Sequence, residues 1–321
     1  MSRVLDVSPP CPLCQGADRL IADVMTTTEI LSAWRHMGVI LSSEALSVFQ
    51  EWTNVCLFHC KACGFEFCDP ALAGNDAFYQ DLQRQAENYY PEDCPSFRRA
   101  VRFALGKKLT SVLDVGCGCG AFLNLARRAG LRTSGIELNR QARAMCSAEG
   151  HRVYGCLLAD FERDGSSERF DLVCAFEILE HVPDPLRFLA EAARRVKPDG
   201  YLAIAVPHRD GLHRVCMMEP HQWPPHHITR WRLTDLKRIG KLCGLRTVRA
   251  GGDVLIGGEI QHFLNLRQGL LTALGRTPSP WPFKLYRLLT LFYRKTGCKY
   301  FFPRLGPGIY AFYQKDASCQ L

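Results

Sequence analysis

Three glycines at alternate positions, directly after an apolar run, constrain this chain more than any other feature: VLDVGCGCGAFL at residues 112–123. The run reads as a strand through Asp114, followed by Gly116, Gly118 and Gly120 and then a helix. Glycine permits tight turns and lets a ligand approach the main chain. The helix that follows offers unpaired N–H groups and the positive end of its dipole. Downstream, strands and helices alternate. SVLDVGC, RTSGIEL, HRVYGCLLAD, FDLVCAFEI and YLAIAVP read as strands, and GAFLNLARRAG, NRQARAMCSAEG and DPLRFLAEAARRVKPDG as helices. Short connections between them predict right-handed crossovers and a mostly parallel sheet, hence an α/β fold. Beyond Pro207, LTDLKRIGKLCGL reads as a helix, RTVRAGG as a strand and GIYAFYQK as a late strand at the far side of the sheet; residues 255–305 form a helical insertion or lid between the last two.

A glycine turn alone serves several nucleotides or simply turns the chain. Glu137, at the end of the second strand and about 20 residues past the turn, can accept hydrogen bonds from ribose hydroxyls. Asp160, after the third strand in LLAD, can accept from an adenine amino group or cap a helix. Asp114, Glu137 and Asp160 together make an acidic crevice suited to a ligand with a cationic amino-acid end and no pyrophosphate. On VLDVGCGCGAFL, GIELN, LLAD, FDLVCAFEILEHVPDP and RRVKPDGYLAIAVP, residues 112–207 resemble class I methyltransferases that use S-adenosylmethionine (SAM), of the small-molecule group that includes ubiquinone-biosynthesis and sugar enzymes. The resemblance implies a seven-stranded Rossmann-like sheet ordered 3-2-1-4-5-7-6 with the last strand antiparallel. It also implies Gly116, Gly118 and Gly120 near the methionine part, Asp114 orienting that end, Glu137 on the ribose and Asp160 near adenine.

The chain has 16 cysteines in 321 residues. The N-terminus MSRVLDVSPPCPLC lacks a long apolar segment, and no stretch reaches the ~20 apolar residues of a membrane span. A reducing cytoplasm is the expectation, and there paired Cys-x-x-Cys units favour metal over disulfides. Cys11 and Cys14 in CPLC, with Cys60 and Cys63 in CKAC, can supply four thiolates to a structural zinc ion. The 45 residues between Cys14 and Cys60 exceed the spacing of a compact zinc ribbon, and Cys56, His59 and Cys68 are alternative ligands. CPLC followed by CKACGFEFCDP, ahead of such a domain, resembles the arrangement in deoxysugar C-methyltransferases, whose insert is shorter. The resemblance also puts Tyr89 and Tyr90 in a flexible aromatic segment over the cofactor; otherwise they are core or interface anchors. The expected organisation is a zinc-binding module at 1–75, a helical linker and cofactor lid at 76–108, and the methyltransferase domain at 109–321 with its C-terminal helical insertion.

Methyl transfer to a hydroxyl or carbon acid requires a base near the attacking atom. His181, in EILEHVPDP after strand four, stands at the carboxyl edge where ligands bind. HQWPPHHITRW supplies His226 and His227, and this string resembles a feature that borders the acceptor site in the zinc-module methyltransferases. His226 or His227 is the first choice of base and His181 the next. A metal site there is disfavoured because no nearby carboxylate completes a ligand set. The expected acceptor is a small molecule, a sugar or natural-product intermediate, methylated on O or C. Two alternatives are an NAD-dependent sugar enzyme and a non-catalytic partner-binding protein. The formal charge of +8 invites nucleic acid, yet the positive residues are dispersed and the motifs of amino- and cytosine-methylating enzymes are missing. The basic aromatic stretch WPFKLYRLLTLFYRK would suit a membrane or lipid-linked acceptor, although cap packing or an oligomer interface is the simpler reading.

Overall fold

The computed structural model describes residues 9–85, 89–161, 168–211, 218–255, 257–276, 284, 301–303 and 306–315. The stretch WPFKLYRLLTLFYRK lies outside the described residues except at position 284. No helix among the described residues is long and apolar enough to cross a membrane.

The central sheet contains β4 (Ser111–Val115), β5 (Arg132–Ile136), β6 (Arg152–Tyr154), β7 (Phe170–Phe176), β8 (Val196–Pro207), β10 (Arg246–Gly252) and β13 (Gly308–Gln314). Their spatial order is β10-β13-β8-β7-β4-β5-β6. Counted within this sheet, that is 3-2-1-4-5-7-6 read from the β6 edge. The last strand, β13, runs antiparallel to both β8 and β10, and the pairs among β4 to β8 are parallel. Fold class and strand order both match the expectation. The order also differs from the 3-2-1-4-5-6 of a dinucleotide-binding sheet.

Burial on both faces explains the unbroken apolar strands. Along β7, Leu172 and Cys174 face α3 (Pro95–Gly106) and α4 (Ala121–Arg128), where Phe97, Phe103 and Phe122 pack. Val173 and Ala175 face the opposite layer, with Leu189 and Ala192 of α6 (Pro185–Arg194) and Leu236 and Ile239 of α7 (Leu233–Leu242). Local signals set the helix starts. Asn139 caps α5 (Arg140–Ala148) by accepting from Ala142 N, and Asp184 caps α6 by accepting from Arg187 N, with Pro185 at the first helical position.

A second, antiparallel sheet has the order β1 (Arg19–Thr26), β2 (Asn54–Cys60), β3 (Glu66–Phe67), β9 (Thr229–Arg230). Its fourth strand comes from HQWPPHHITRW. Phe67 pairs with Thr229 and Glu66 with Arg230, so the cysteine-bearing segment is closed by residues some 160 positions downstream. Phe58, Phe65 and Phe67 share one apolar core with Leu113, Val115 and Trp231. The long insert between the cysteine pairs forms β1, α1 (Thr27–His36) and a 3₁₀ turn at Ala45–Phe49. α2 (Asp76–Gln85) follows, with Phe78 and Leu82 buried in the same cluster as Trp34 and Trp223. The described part of the C-terminal insertion, α8 (Gly257–Ala273), packs its Leu270 against Ala33 of α1.

Candidate functional site

β4 delivers Asp114 to the carboxyl edge of the sheet. Gly116, Gly118 and Gly120 all have positive φ, at 78°, 52° and 90°. A Cβ on Gly116 would lie 2.3 Å from Ile178 Cδ1, and one on Gly118 would lie 2.5 Å from the Tyr90 ring. Glycine is therefore required here twice over, by backbone conformation and by close approach. Glu137 braces the turn from β5: Gly118 N and Asn139 N donate to its two oxygens at 2.8 Å each. Burial raises the Glu137 pKa despite those donors. Burial also pushes Asp114 well above the usual carboxylate range, with the Cys146 thiol and Glu137 adding to the effect. Asp114 Oδ1 is buried with no hydrogen-bond partner, an acceptor awaiting a donor.

Asp160 stands farther along, in the one-turn 3₁₀ helix Leu158–Asp160 against α6, where its charge acts on Arg187. The first residues beyond β6 are Gly155, Cys156 and Leu157. Leu157 is 55% exposed, and Leu138, beside Glu137 just past the end of β5, is 52% exposed. Two uncovered leucines past adjacent strand ends offer apolar surface for a flat ring. Sequence reading passed over both, since an exposed leucine becomes conspicuous only once its neighbours are known.

Two tyrosines join the glycine turn to the histidines. Tyr90 lies on Gly118, and its hydroxyl accepts from Gln83 of α2, whose amide oxygen in turn accepts from Asn139. The Tyr89 ring is 5.1 Å from Tyr90 and 6.3 Å from His226. Burial, followed by the charges of Glu137 and Glu180, holds the Tyr89 hydroxyl protonated.

Sequence-distant segments bring His181, His226 and His227 together, with ring separations of 4.6 Å (His181–His226), 4.9 Å (His181–His227) and 4.5 Å (His226–His227). Ile228 N donates to Glu180 O at 3.0 Å and ties the EILEH turn to the PPHH loop. Glu180 is 1% exposed, and its Oε1 lies 3.8 Å from His181 Nε2 and 3.9 Å from His227 Nε2. Burial lowers the His181 pKa to about 4 and holds His226 well below the ordinary value, so both rings are neutral near pH 7. Glu177 stands at φ 55°, a strained conformation for a non-glycine residue at the end of β7. Solvent reaches its side chain, yet protein crowds around it. Burial, then the Asp253 charge, raises it to about 7. Nothing local in EILEH announces the approach of Glu180 to the histidines, which needed the fold.

The four predicted cysteines converge. Cys11 Sγ is 3.7 Å from Cys63 Sγ and Cys14 Sγ is 3.5 Å from Cys60 Sγ, and all four sulfurs lie within 4.8 Å of one another. A disulfide would need ~2.05 Å. A zinc tetrahedron with Zn–S near 2.3 Å has edges of about 3.8 Å. Two arginines from beyond β8 hold the second pair: Arg209 donates to Gly64 O at 2.9 Å and Arg232 to Cys63 O at 3.0 Å. Of the alternatives, Cys56 and Cys68 are buried in the core, and His59 pairs with Glu66 at 3.6 Å.

Residues 58–250 match a family model described as a methyltransferase domain. Among curated proteins, the chain is 35% identical over 106 residues to a ubiquinone biosynthesis O-methyltransferase of Ralstonia nicotianae, covering 31% of this chain and 44% of that protein. The corresponding protein of Thiobacillus denitrificans is 37% identical over 110 residues, covering 33% and 46%. The chain thus spans under half the length of these relatives. A solved SAM-dependent methyltransferase from Archaeoglobus fulgidus aligns with TM-score 0.48 and 17% identity, over 75% of this chain and 100% of that one. At that score the likeness adds nothing to the strand order. The family match covers more than half of the residues, from β2 to β10, and the chain belongs to the methyltransferase-domain family.

Proposed function

We propose that this protein transfers a methyl group from S-adenosylmethionine to a hydroxyl-bearing small molecule at the carboxyl edge of the central sheet. One observation carries the reading: Tyr89 and Tyr90 bridge an acid-lined glycine turn to a buried histidine cluster, so a nucleotide site and a basic site share one edge. The residues fit the cofactor. Asp114 Oδ1 has an unused acceptor for an ammonium group, and Gly116, Gly118 and Gly120 leave the main chain open. Glu137 takes the ribose hydroxyls, Leu138 and Leu157 flank the adenine with Asp160 at the rim, and Tyr90 closes over the turn. Bound there, S-adenosylmethionine supplies a sulfonium-activated methyl group. The protein aligns the acceptor and removes its proton. His226 or His227, with His181 next, receives that proton on a neutral ring nitrogen, and Glu180 Oε1 lies 3.8 Å from His181 Nε2 and 3.9 Å from His227 Nε2. The O-methyltransferase relatives favour oxygen as the methylated atom.

In this reading the four cysteines hold a structural zinc ion. Four thiolates leave no open position, so the ion fixes β2 and β3, and through β9 the histidine loop. The working division is a zinc module at 1–75, a linker and cofactor cover at 76–108, and the transferase domain at 109–321. The test is incubation with methyl-labelled S-adenosylmethionine and separate pools of phenols, nucleotide sugars, RNA and protein. Label in a hydroxyl-bearing small molecule is expected. Label confined to RNA or protein, or no S-adenosylhomocysteine formed with any pool, would overturn the reading.

A further inference from the structure

We propose that His181, His226 and His227, with Glu180 beside two of them, form a binding site for one first-row divalent metal ion, separate from the four cysteines. Hydrogen bonds fix the state of two of the rings. His181 Nδ1 lies 2.6 Å from His226 O, and His226 Nδ1 lies 3.2 Å from His221 O. A carbonyl oxygen can only accept, so each Nδ1 carries the proton and each neutral ring presents an Nε2 lone pair. This is the arrangement in which backbone carbonyls orient metal-binding imidazoles. One ligand atom from each of the three histidines lies within 4.8 Å of the others. The histidines lie in two segments that the Ile228 N to Glu180 O hydrogen bond and the Thr229 hydroxyl, which donates to Leu179 O and Glu180 O, fasten together.

Glu180 is the independent observation. It is 1% exposed and its carboxyl meets the Glu177 side chain, but neither oxygen is hydrogen-bonded to a histidine. Its Oε1 instead faces His181 Nε2 and His227 Nε2 at 3.8 and 3.9 Å. A carboxylate opposite an imidazole lone pair is repulsive unless a proton or a cation lies between them, and burying it unpaired is costly. One cation resolves both conflicts. Three imidazoles and one carboxylate suit zinc, iron(II), cobalt or nickel better than magnesium or calcium. No carboxylate adjoins PPHH along the chain; the fold supplies one from a position 46 residues before His226. An ion here would meet the acceptor hydroxyl and ease its ionisation, the task otherwise given to a histidine alone.

Cobalt(II) loading of the full chain provides the test, because thiolate-bound cobalt has intense near-ultraviolet charge-transfer bands and imidazole–carboxylate cobalt does not. Wild type is expected to bind one equivalent whose visible bands carry no thiolate charge transfer, in addition to any ion at the cysteines. His227→Gln and Glu180→Gln should each weaken that equivalent more than about 100-fold, since even residues that only orient ligands are worth about 10- to 100-fold. Both variants are judged on protein that still binds S-adenosylhomocysteine by calorimetry, and His226→Asn replaces either one that does not. No thiolate-free equivalent in wild type, or its retention in folded variants, would overturn the site. The metal readout is independent of turnover. Protein that holds this ion but transfers no methyl group would remove the proposed function and leave the site standing; active protein without the ion would do the reverse.

Discussion

The glycine turn and the histidine cluster face the same sheet edge, yet they are built in opposite ways. The turn is a main-chain site: five consecutive residues, 116–120, set its shape, and the adjoining strand supplies Glu137. The histidine cluster is made of side chains from the turn after β7 and the loop before β9, held by contacts 45 to 49 residues apart. A site written in backbone conformation needs glycine at fixed positions and tolerates little else. A side-chain site depends on how distant segments pack, and substitutions there should act on chemistry before they act on cofactor affinity.

The sharpest way to break this contrast is Gly118→Val. The position has φ 52°, and a Cβ would already press on the Tyr90 ring. Turnover should fall by at least ~100-fold, the scale of a misplacement of about 1 Å at a reacting centre, with S-adenosylhomocysteine affinity lost alongside it. On the other side, His227→Ala should lower kcat by about 100-fold, the lower range for a lost proton acceptor, while S-adenosylhomocysteine affinity stays within about twofold of wild type. Equal losses of cofactor affinity in the two variants would erase the distinction.

Cys60→Ser reaches the histidine side through structure. It should release zinc, measured by metal analysis, and lower the melting temperature by ~3–5 °C, as expected for a loss of about 2–3 kcal/mol in a chain of this size. Because β9 completes the sheet that Cys60 ends, kcat should fall more than cofactor affinity.

The smallest effect is in pH dependence. His181, pulled down to about 4 by burial, stays neutral across pH 5–8 and should add no limb to the turnover profile. Turnover should instead rise through about pH 7 as Glu177 ionises, and Glu177→Gln should flatten that rise. Stability follows the opposite group. Between the ordinary 6.5 and about 4, the unfolded chain binds a proton that folded His181 refuses. Stability therefore falls as pH drops through that window, and melting curves of His181→Asn at pH 7 and pH 5 should show a smaller difference than wild type.

The same contrast explains what could be read from the sequence. The seven strands, including RTVRAGG and GIYAFYQK, were legible as local patterns between helices with plain stop signals, while their order came from the resemblance to class I methyltransferases. Asp114 and Glu137 were legible because their distance from the glycines along the chain fixes their place in the sheet. The cysteine pairs also announced themselves, since each turn is local; that their sheet ends in Thr229–Arg230 did not, because a two-residue strand has no pattern of its own. Glu180 inside LEH reads as one more charged residue until burial shows it facing two imidazoles. Leu138 and Leu157 were missed for a related reason, as their exposure is a property of the assembled rim.

The most direct test of the central claim is calorimetric titration of S-adenosylhomocysteine into wild type, Glu137→Ala and the double variant His226→Ala/His227→Ala. Binding one equivalent to wild type is expected, weakened at least ~10-fold in Glu137→Ala through loss of charged hydrogen bonds and nearly unchanged in the histidine double variant. No binding to wild type, or a loss in the histidine variant as large as in Glu137→Ala, would contradict a main-chain cofactor site standing beside a separate side-chain acceptor site.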